Sequence, residues 1–176
     1  MSETSLKHKA IAPSKVNVAV ITCSSSRYRV KKETGKLEDP SGDLIVNALN
    51  EVGHRILDRK LVPDDERILR NTLDKVLMNN DLDAVVITGG TGISKKDLTI
   101  EVVERIVEKD LPGFGELFRK MSYEKIGSAA ILTRAFAGIA KGKAIFCIPG
   151  SPNAVEMALK ELIVPEISHI VKHIRE

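Results

Sequence analysis

Three short segments of this 176-residue chain have the residue types to hold an anion. They are Thr22-Cys23-Ser24-Ser25-Ser26-Arg27, Thr88-Gly89-Gly90-Thr91-Gly92 and Pro149-Gly150-Ser151-Pro152-Asn153. Each follows an apolar run and precedes a helix or a long loop. Glycine N–H groups can approach a phosphate with no Cβ in the way, and a helix N-terminus adds partial positive charge there. Asp97 stands five residues after Gly92, and Asp64 just past another apolar run. Mg2+ is typically bound by one or two carboxylates together with substrate phosphates, so two acids beside glycine-rich loops suit a Mg–phosphate site. Each feature also has a plainer use. Gly89 to Gly92 could be only a tight strand-to-helix connection, and Asp97 or Thr99 only a helix cap. The P-loop is absent, since no Gly-Lys-Ser/Thr follows Gly92, and the spacing does not fit G-x-G-x-x-G.

Other chemistries are poorly supplied. Cys23 and Cys147 lie too far apart for a zinc knuckle or a CxxC pair, and both sit in apolar runs as small hydrophobes. His169 and His173 share a helix face, but no further ligand accompanies them in the sequence. The net charge of +3 is too small to imply nucleic acid, and six aromatics without Trp give bases little to stack on. Basic residues do gather in Arg27-Tyr28-Arg29-Val30-Lys31-Lys32, with Lys36 nearby, either as a solvated face or as a cationic rim for an anionic substrate. No apolar run approaches the roughly 18 residues a membrane span needs. Residues 1–15 are polar, lack the apolar middle of a signal peptide and are expected to be a mobile tail of a cytoplasmic protein.

The elements that would position these loops alternate along the chain. Val16 to Thr22, His54 to Val62, Asp83 to Thr88 and Ala144 to Ile148 predict strands, the most apolar of them buried on both faces of a parallel sheet. Phe136 onward predicts a short return strand before a Lys141-Gly142 turn. Residues 24–40 are expected as one long loop, with Ser41 capping a helix on Leu44, Ile45, Ala48, Leu49 and Val52. Further helices are expected after Pro63-Asp64-Asp65-Glu66, from about Thr99, after Pro112-Gly113 and from Pro152, with Pro165 kinking or splitting the last. One α/β domain over residues 16–176 follows: three layers, a mostly parallel sheet with helices on both faces.

Val85-Val86-Ile87-Thr88-Gly89-Gly90-Thr91-Gly92 followed by Asp97-Leu98-Thr99 resembles the signature of molybdenum-cofactor biosynthesis proteins of the molybdopterin adenylyltransferase type, the archaeal B-type branch above all. Pro63-Asp64-Asp65, Pro112-Gly113-Phe114-Gly115-Glu116, Leu132-Thr133-Arg134-Ala135 and Ile148-Pro149-Gly150-Ser151-Pro152-Asn153-Ala154 resemble further family segments in the family's order. The resemblance implies a molybdopterin-binding-like fold assembled as trimers or dimers of trimers. It implies Mg2+-dependent adenylylation of molybdopterin by ATP, with pyrophosphate released, and the molybdate insertase as a downstream partner. Carried over by position, Asp64 and Asp97 are the essential acids and the metal ligands. Gly89, Gly90, Thr91, Gly92, Thr99, Gly150, Ser151 and Asn153 are substrate contacts, with Thr22, Ser24 and Arg134 nearer the rim. The chain departs from the family at Ser24-Ser25-Ser26-Arg27, where Ser-Asp-x-Arg is usual, and at Lys96, where Arg is usual. A non-catalytic pterin-binding module of the same fold is the alternative reading.

Overall fold

Apolar runs too continuous for one-faced strands form the centre of a six-stranded sheet. The computed structural model describes Pro13 and residues 15–176, so most of the expected N-terminal tail lies outside the described residues. The strands are β1 (Asn17–Cys23), β2 (Arg55–Val62), β3 (Ala84–Thr88), β4 (Lys109–Asp110), β5 (Phe136–Ala140) and β6 (Lys143–Ile148), in the order β2-β1-β3-β6-β5-β4. β2, β1, β3 and β6 run parallel, while β5 runs antiparallel to both β6 and β4. Every residue of β3 and β6 is buried. Their side chains alternate between two cores. Val20, Val86 and Phe146 pack with Ile45, Leu49, Phe118 and Ile167, and Ile21, Ile87 and Ile145 with Leu69, Leu73 and Val103. Two helical layers therefore cover the sheet, as the alternation of elements requires.

The helices are α1 (Ser25–Thr34), α2 (Pro40–Glu51), α3 (Glu66–Leu77), α4 (Thr99–Glu104), α5 (Pro112–Ile126), α6 (Pro152–Ala158) and α7 (Val164–Arg175). Leu159–Ile163 widens into a π turn ahead of Pro165, whose missing N–H cannot continue the regular ladder. The expected long loop over 24–40 instead contains α1. Ser24 caps its start by accepting from the Arg27 N–H, Gly35 ends it in the left-handed region at φ 73°, and no residue of it is buried. A helix without an apolar stripe leaves no periodicity to read. Ser41 is not the cap of α2: Asp39 accepts from the Gly42 N–H, with Pro40 in the first turn. α4 is shorter than its Ile100, Val103, Ile106 pattern suggests, because Val107 and Glu108 turn the chain into the edge strand β4. Among the described residues no helix is long and apolar enough to cross a membrane.

The crossover from β2 over β1 to β3 reverses the direction of winding, so the carboxyl ends of β1 and β3 flank a topological switch point. There the chain folds unusually close upon itself. Gly89 has φ 89°, and a Cβ on it would stand 2.3 Å from the Cys23 carbonyl oxygen. Gly142, in the β5–β6 turn, also has positive φ (69°) but faces open space. Comparing the two separates backbone strain from close approach. We expect Gly142→Ala to cost about 1 kcal/mol through its left-handed backbone alone. Gly89→Ala must also displace a strand end, and we expect a loss of about 3 kcal/mol or more, lowering Tm by at least about 6 °C. Differential scanning calorimetry of both variants checks this; equal losses would remove close approach as the reason for Gly89.

Candidate active site

The loop from Gly89 to Leu98 hangs from the end of β3 and is tied down on three sides. The Gly89 N–H donates to the Ile148 carbonyl (3.1 Å), at the end of β6. Thr99, which is buried, donates its Oγ1 to the Gly89 carbonyl (2.8 Å) and its N–H to that of Gly90 (2.9 Å). Thr88 Oγ1 donates to the Pro149 carbonyl (3.0 Å), joining this loop to the one after β6. Gly150 passes so close that a Cβ there would lie 3.2 Å from Gly89 Cα. The loop's own carbonyls and first N–H are thus satisfied within the fold. Among the described residues, the N–H groups of Gly90 and Thr91 meet no acceptor. Two successive donors in a glycine turn, at the carboxyl ends of parallel strands, are groups of the kind that can accept an anion.

The two acids stand on either side of this turn. Asp64 lies in the turn between β2 and α3, and exchanges two hydrogen bonds with Ser25. The Ser25 N–H donates to Asp64 Oδ2 (2.8 Å), and the Asp64 N–H to Ser25 Oγ (2.9 Å). The other oxygen, Oδ1, is 3.4 Å from where a Gly90 Cβ would be. Asp97 sits beneath Gly92, its Oδ2 2.7 Å from the corresponding Cβ position. It does not cap α4, whose cap position is Leu98 with no side-chain bond. It accepts instead from the Ser94 N–H (2.9 Å) and so closes the loop on itself. Burial would raise its pKa, but hydrogen bonds from Ser94 and the Gly92 backbone, with the charge of Arg134, outweigh this and hold the carboxyl below its ordinary value. Asp97 is therefore ionised at neutral pH.

Several expected contacts are committed elsewhere. Thr22 is buried rather than at the rim, and its Oγ1 donates to Asp39 Oδ2 (2.8 Å). Thr99 holds the glycine loop from beneath. Ser24, half-buried, faces Ser26 Oγ at 3.2 Å. Ser151 is exposed and caps α6, accepting from the Ala154 N–H at 3.4 Å. Exposed Asn153 turns toward a different cleft, against Met121 and Glu124 of α5. Thr91 is 4% exposed and lies within the loop. Arg134 pairs with Glu101 (2.6 Å) and lines a cleft of about 460 Å3 beside α4, together with Glu104, Glu116 and Arg119.

One residue of the site is absent from the sequence reading. Asp39 is 1% exposed, yet it accepts from Thr22, from the Gly42 N–H (3.0 Å) and from Arg59 Nη2 (2.9 Å). Arg59 also reaches Asp43 (2.7 Å), and these two acids outweigh burial in keeping the guanidinium protonated. The hub joins β1, α2 and β2, and Ser41, two residues on, donates to the Gly150 carbonyl (2.8 Å). Asp39-Pro40, an acid before a proline that opens a helix, was the available signal.

Neither cysteine is poised as a nucleophile. Burial pushes the Cys23 thiol up to about 12, despite a side-chain hydrogen bond with Thr99, and Cys147 is raised well above its ordinary value by the same cause. Among the described residues, no three His, Cys, Asp or Glu side chains gather into a metal cage. Two oxygen donors flanking free N–H groups instead match a hard cation that arrives with its anion.

Comparison with known proteins identifies the family. A family described as "Probable molybdopterin binding domain" matches residues 19–169. The chain is 44% identical over 171 residues to molybdenum cofactor biosynthesis protein B of Bacillus subtilis, covering 97% of this chain and 96% of that protein. It is 41% identical over 169 residues to a probable molybdopterin adenylyltransferase of Methanocaldococcus jannaschii, covering 96% and 99%. The crystal structure of the tungsten cofactor synthesizing protein MoaB from Pyrococcus furiosus superimposes with a TM-score of 0.81 at 43% identity, covering 94% of this chain and all of that one. The chain belongs to the molybdopterin-binding-domain family of cofactor biosynthesis proteins.

Proposed function

We propose that this protein is a molybdopterin adenylyltransferase, acting in molybdenum cofactor biosynthesis with ATP and Mg2+. A terminal phosphate oxygen of the pterin bonds to the α-phosphorus of ATP, and the bond from that phosphorus to the β-phosphate oxygen breaks. Pyrophosphate leaves with the electron pair. The observation that carries the reading is the glycine turn at the switch point with a carboxylate at each end, Asp64 Oδ1 3.4 Å from the Gly90 Cβ position and Asp97 Oδ2 2.7 Å from that of Gly92. The Gly90 and Thr91 N–H groups are fixed before substrate arrives and face the charge of the reacting phosphates, which costs no reorganisation during the reaction. Asp64 and Asp97 are the residues to hold Mg2+, which when bound neutralises triphosphate charge. Phosphoryl-type transfer needs positioning and electrostatics rather than a protein nucleophile, consistent with the inert thiols. Ser24, Gly150 and Ser151 edge the substrate surface, with exposed Arg29, Lys31 and Lys32 of α1 as its cationic rim.

The assembly belongs to the same proposal. Leu117, Tyr123, Ile126, Ile131 and Leu132, on α5 and the 3-10 turn after it, are each more than half exposed, and Ile131 is 86% exposed. An apolar patch of this kind marks a protein–protein contact, and a second copy of this chain is the partner we assign. Light scattering is expected to give a multiple of three 19.3 kDa chains, and Ile131→Lys to shift the mass toward the monomer. A monomeric wild type at micromolar concentration would contradict the assembly.

The test of the reaction is a pair of isosteric variants. Asp64→Asn and Asp97→Asn should each lower kcat for adenylyl transfer by about 100-fold or more. Pterin affinity, read by fluorescence titration, should stay within about threefold. Tm should fall by only a few degrees, because the hydrogen bonds lost are worth about 1 kcal/mol each. Turnover near the wild-type rate in Asp97→Asn would reduce that residue to a loop-closing role.

A further inference from the structure

The C-terminal end of α7 lies at the opposite end of the strands from the glycine loop, since Arg175 pairs with Asp83 just before β3 (2.6 Å). It carries His169 and His173, one helical turn apart. Their Nε2 atoms face each other at 3.0 Å. Each ring's other nitrogen meets a carboxylate: His169 Nδ1 lies 3.1 Å from Glu166 Oε2, and His173 Nδ1 2.9 Å from Glu176 Oε2. An ionised carboxylate can only accept, so in the neutral rings both Nδ1 atoms carry the proton and both Nε2 atoms present lone pairs. Two acceptors aimed at one another repel unless one ring takes up a second proton or a cation bridges them.

We propose that His169 and His173 form a chelating pair for a divalent transition-metal ion. Histidines at i and i+4 on one helix face are a known metal-binding spacing. A carboxylate behind each ring fixes its tautomer and orientation. With metal–nitrogen bonds of about 2.05 Å, a 3.0 Å separation subtends an angle of about 94° at the metal. Tetrahedral coordination would need about 3.3 Å, so the pair fits the right-angled geometries of Cu2+ and Ni2+ better than Zn2+. Lys109 lines the adjoining cleft of about 330 Å3 and Lys172 pairs with Glu176 (3.4 Å), so the charges of Glu166 and Glu176 offset those of two lysines. Among the described residues no third His, Cys, Asp or Glu joins the pair. Soft-nitrogen ligation separates this site from the oxygen donors proposed for Mg2+.

The test is calorimetric titration of the untagged full-length chain with Ni2+ alone, and Cu2+ electron paramagnetic resonance at one equivalent. One Ni2+ per chain and a spectrum showing two imidazole nitrogens are expected. His169→Gln and His173→Gln should each weaken Ni2+ binding at least about tenfold. Both positions are partly exposed, and circular dichroism of the metal-free variants reports their folding. Asn at either position supplies a second pair of variants. No binding by the wild type at millimolar Ni2+, unchanged affinity in either variant, or loss in only one of them would overturn the chelate. None of these results bears on adenylyl transfer, so the two proposals fail independently.

Discussion

The Cys23 carbonyl and Gly89 Cα stand so close that no side chain fits between them, and the candidate site is built on that approach. It brings the end of β1 against the loop after β3 at the switch point, where parallel strands direct their carboxyl ends at one surface. Once Gly89 is fixed, Ile148 and Thr99 occupy its N–H and carbonyl, and among the described residues the next two N–H groups meet no acceptor. A residue with a Cβ would push the loop off β1 and separate those donors from Asp64. The glycine is required by packing as much as by its dihedral angle.

A second constraint supports the first from the other side of β1. A carboxylate as buried as that of Asp39 is stable only if its oxygens are hydrogen-bonded and its charge is met. Thr22, Gly42 and Arg59 do this, so the ends of β1 and β2 and the start of α2 share one buried ion pair. Ser41 extends the tie to Gly150. All three strand-end loops are therefore braced against one another, which keeps the two acids at a fixed spacing around the glycine turn.

The sequence was informative where one residue type has few uses. Continuous apolar runs such as Ala84–Thr88 and Ala144–Ile148 fit only strands covered on both faces, and they lie at the centre of the sheet. Asp64, Asp97 and the glycine turn were legible as a cluster because they share residue types suited to phosphate and Mg2+. What stayed hidden depends on partners distant in the chain. Thr22 reads as a rim hydroxyl until Asp39, 17 residues away, is seen to accept its hydrogen bond. Thr99 reads as a cap until Gly89 is placed above it. α1 buries nothing, and its polar sequence could not announce a helix that owes its ends to Ser24 and Gly35. β4 has only two residues, too few for any period to show.

The most direct measurement of the central claim is a single incubation of the protein with molybdopterin, ATP labelled at its α-phosphorus, and Mg2+. A glycine turn with a carboxylate at each end, suited to phosphate chemistry, predicts one pyrophosphate released per pterin consumed, with the label transferred to the pterin. Pterin that binds by fluorescence yet acquires no label, with ATP intact, would contradict the account and leave the protein a carrier of the pterin rather than the enzyme that activates it.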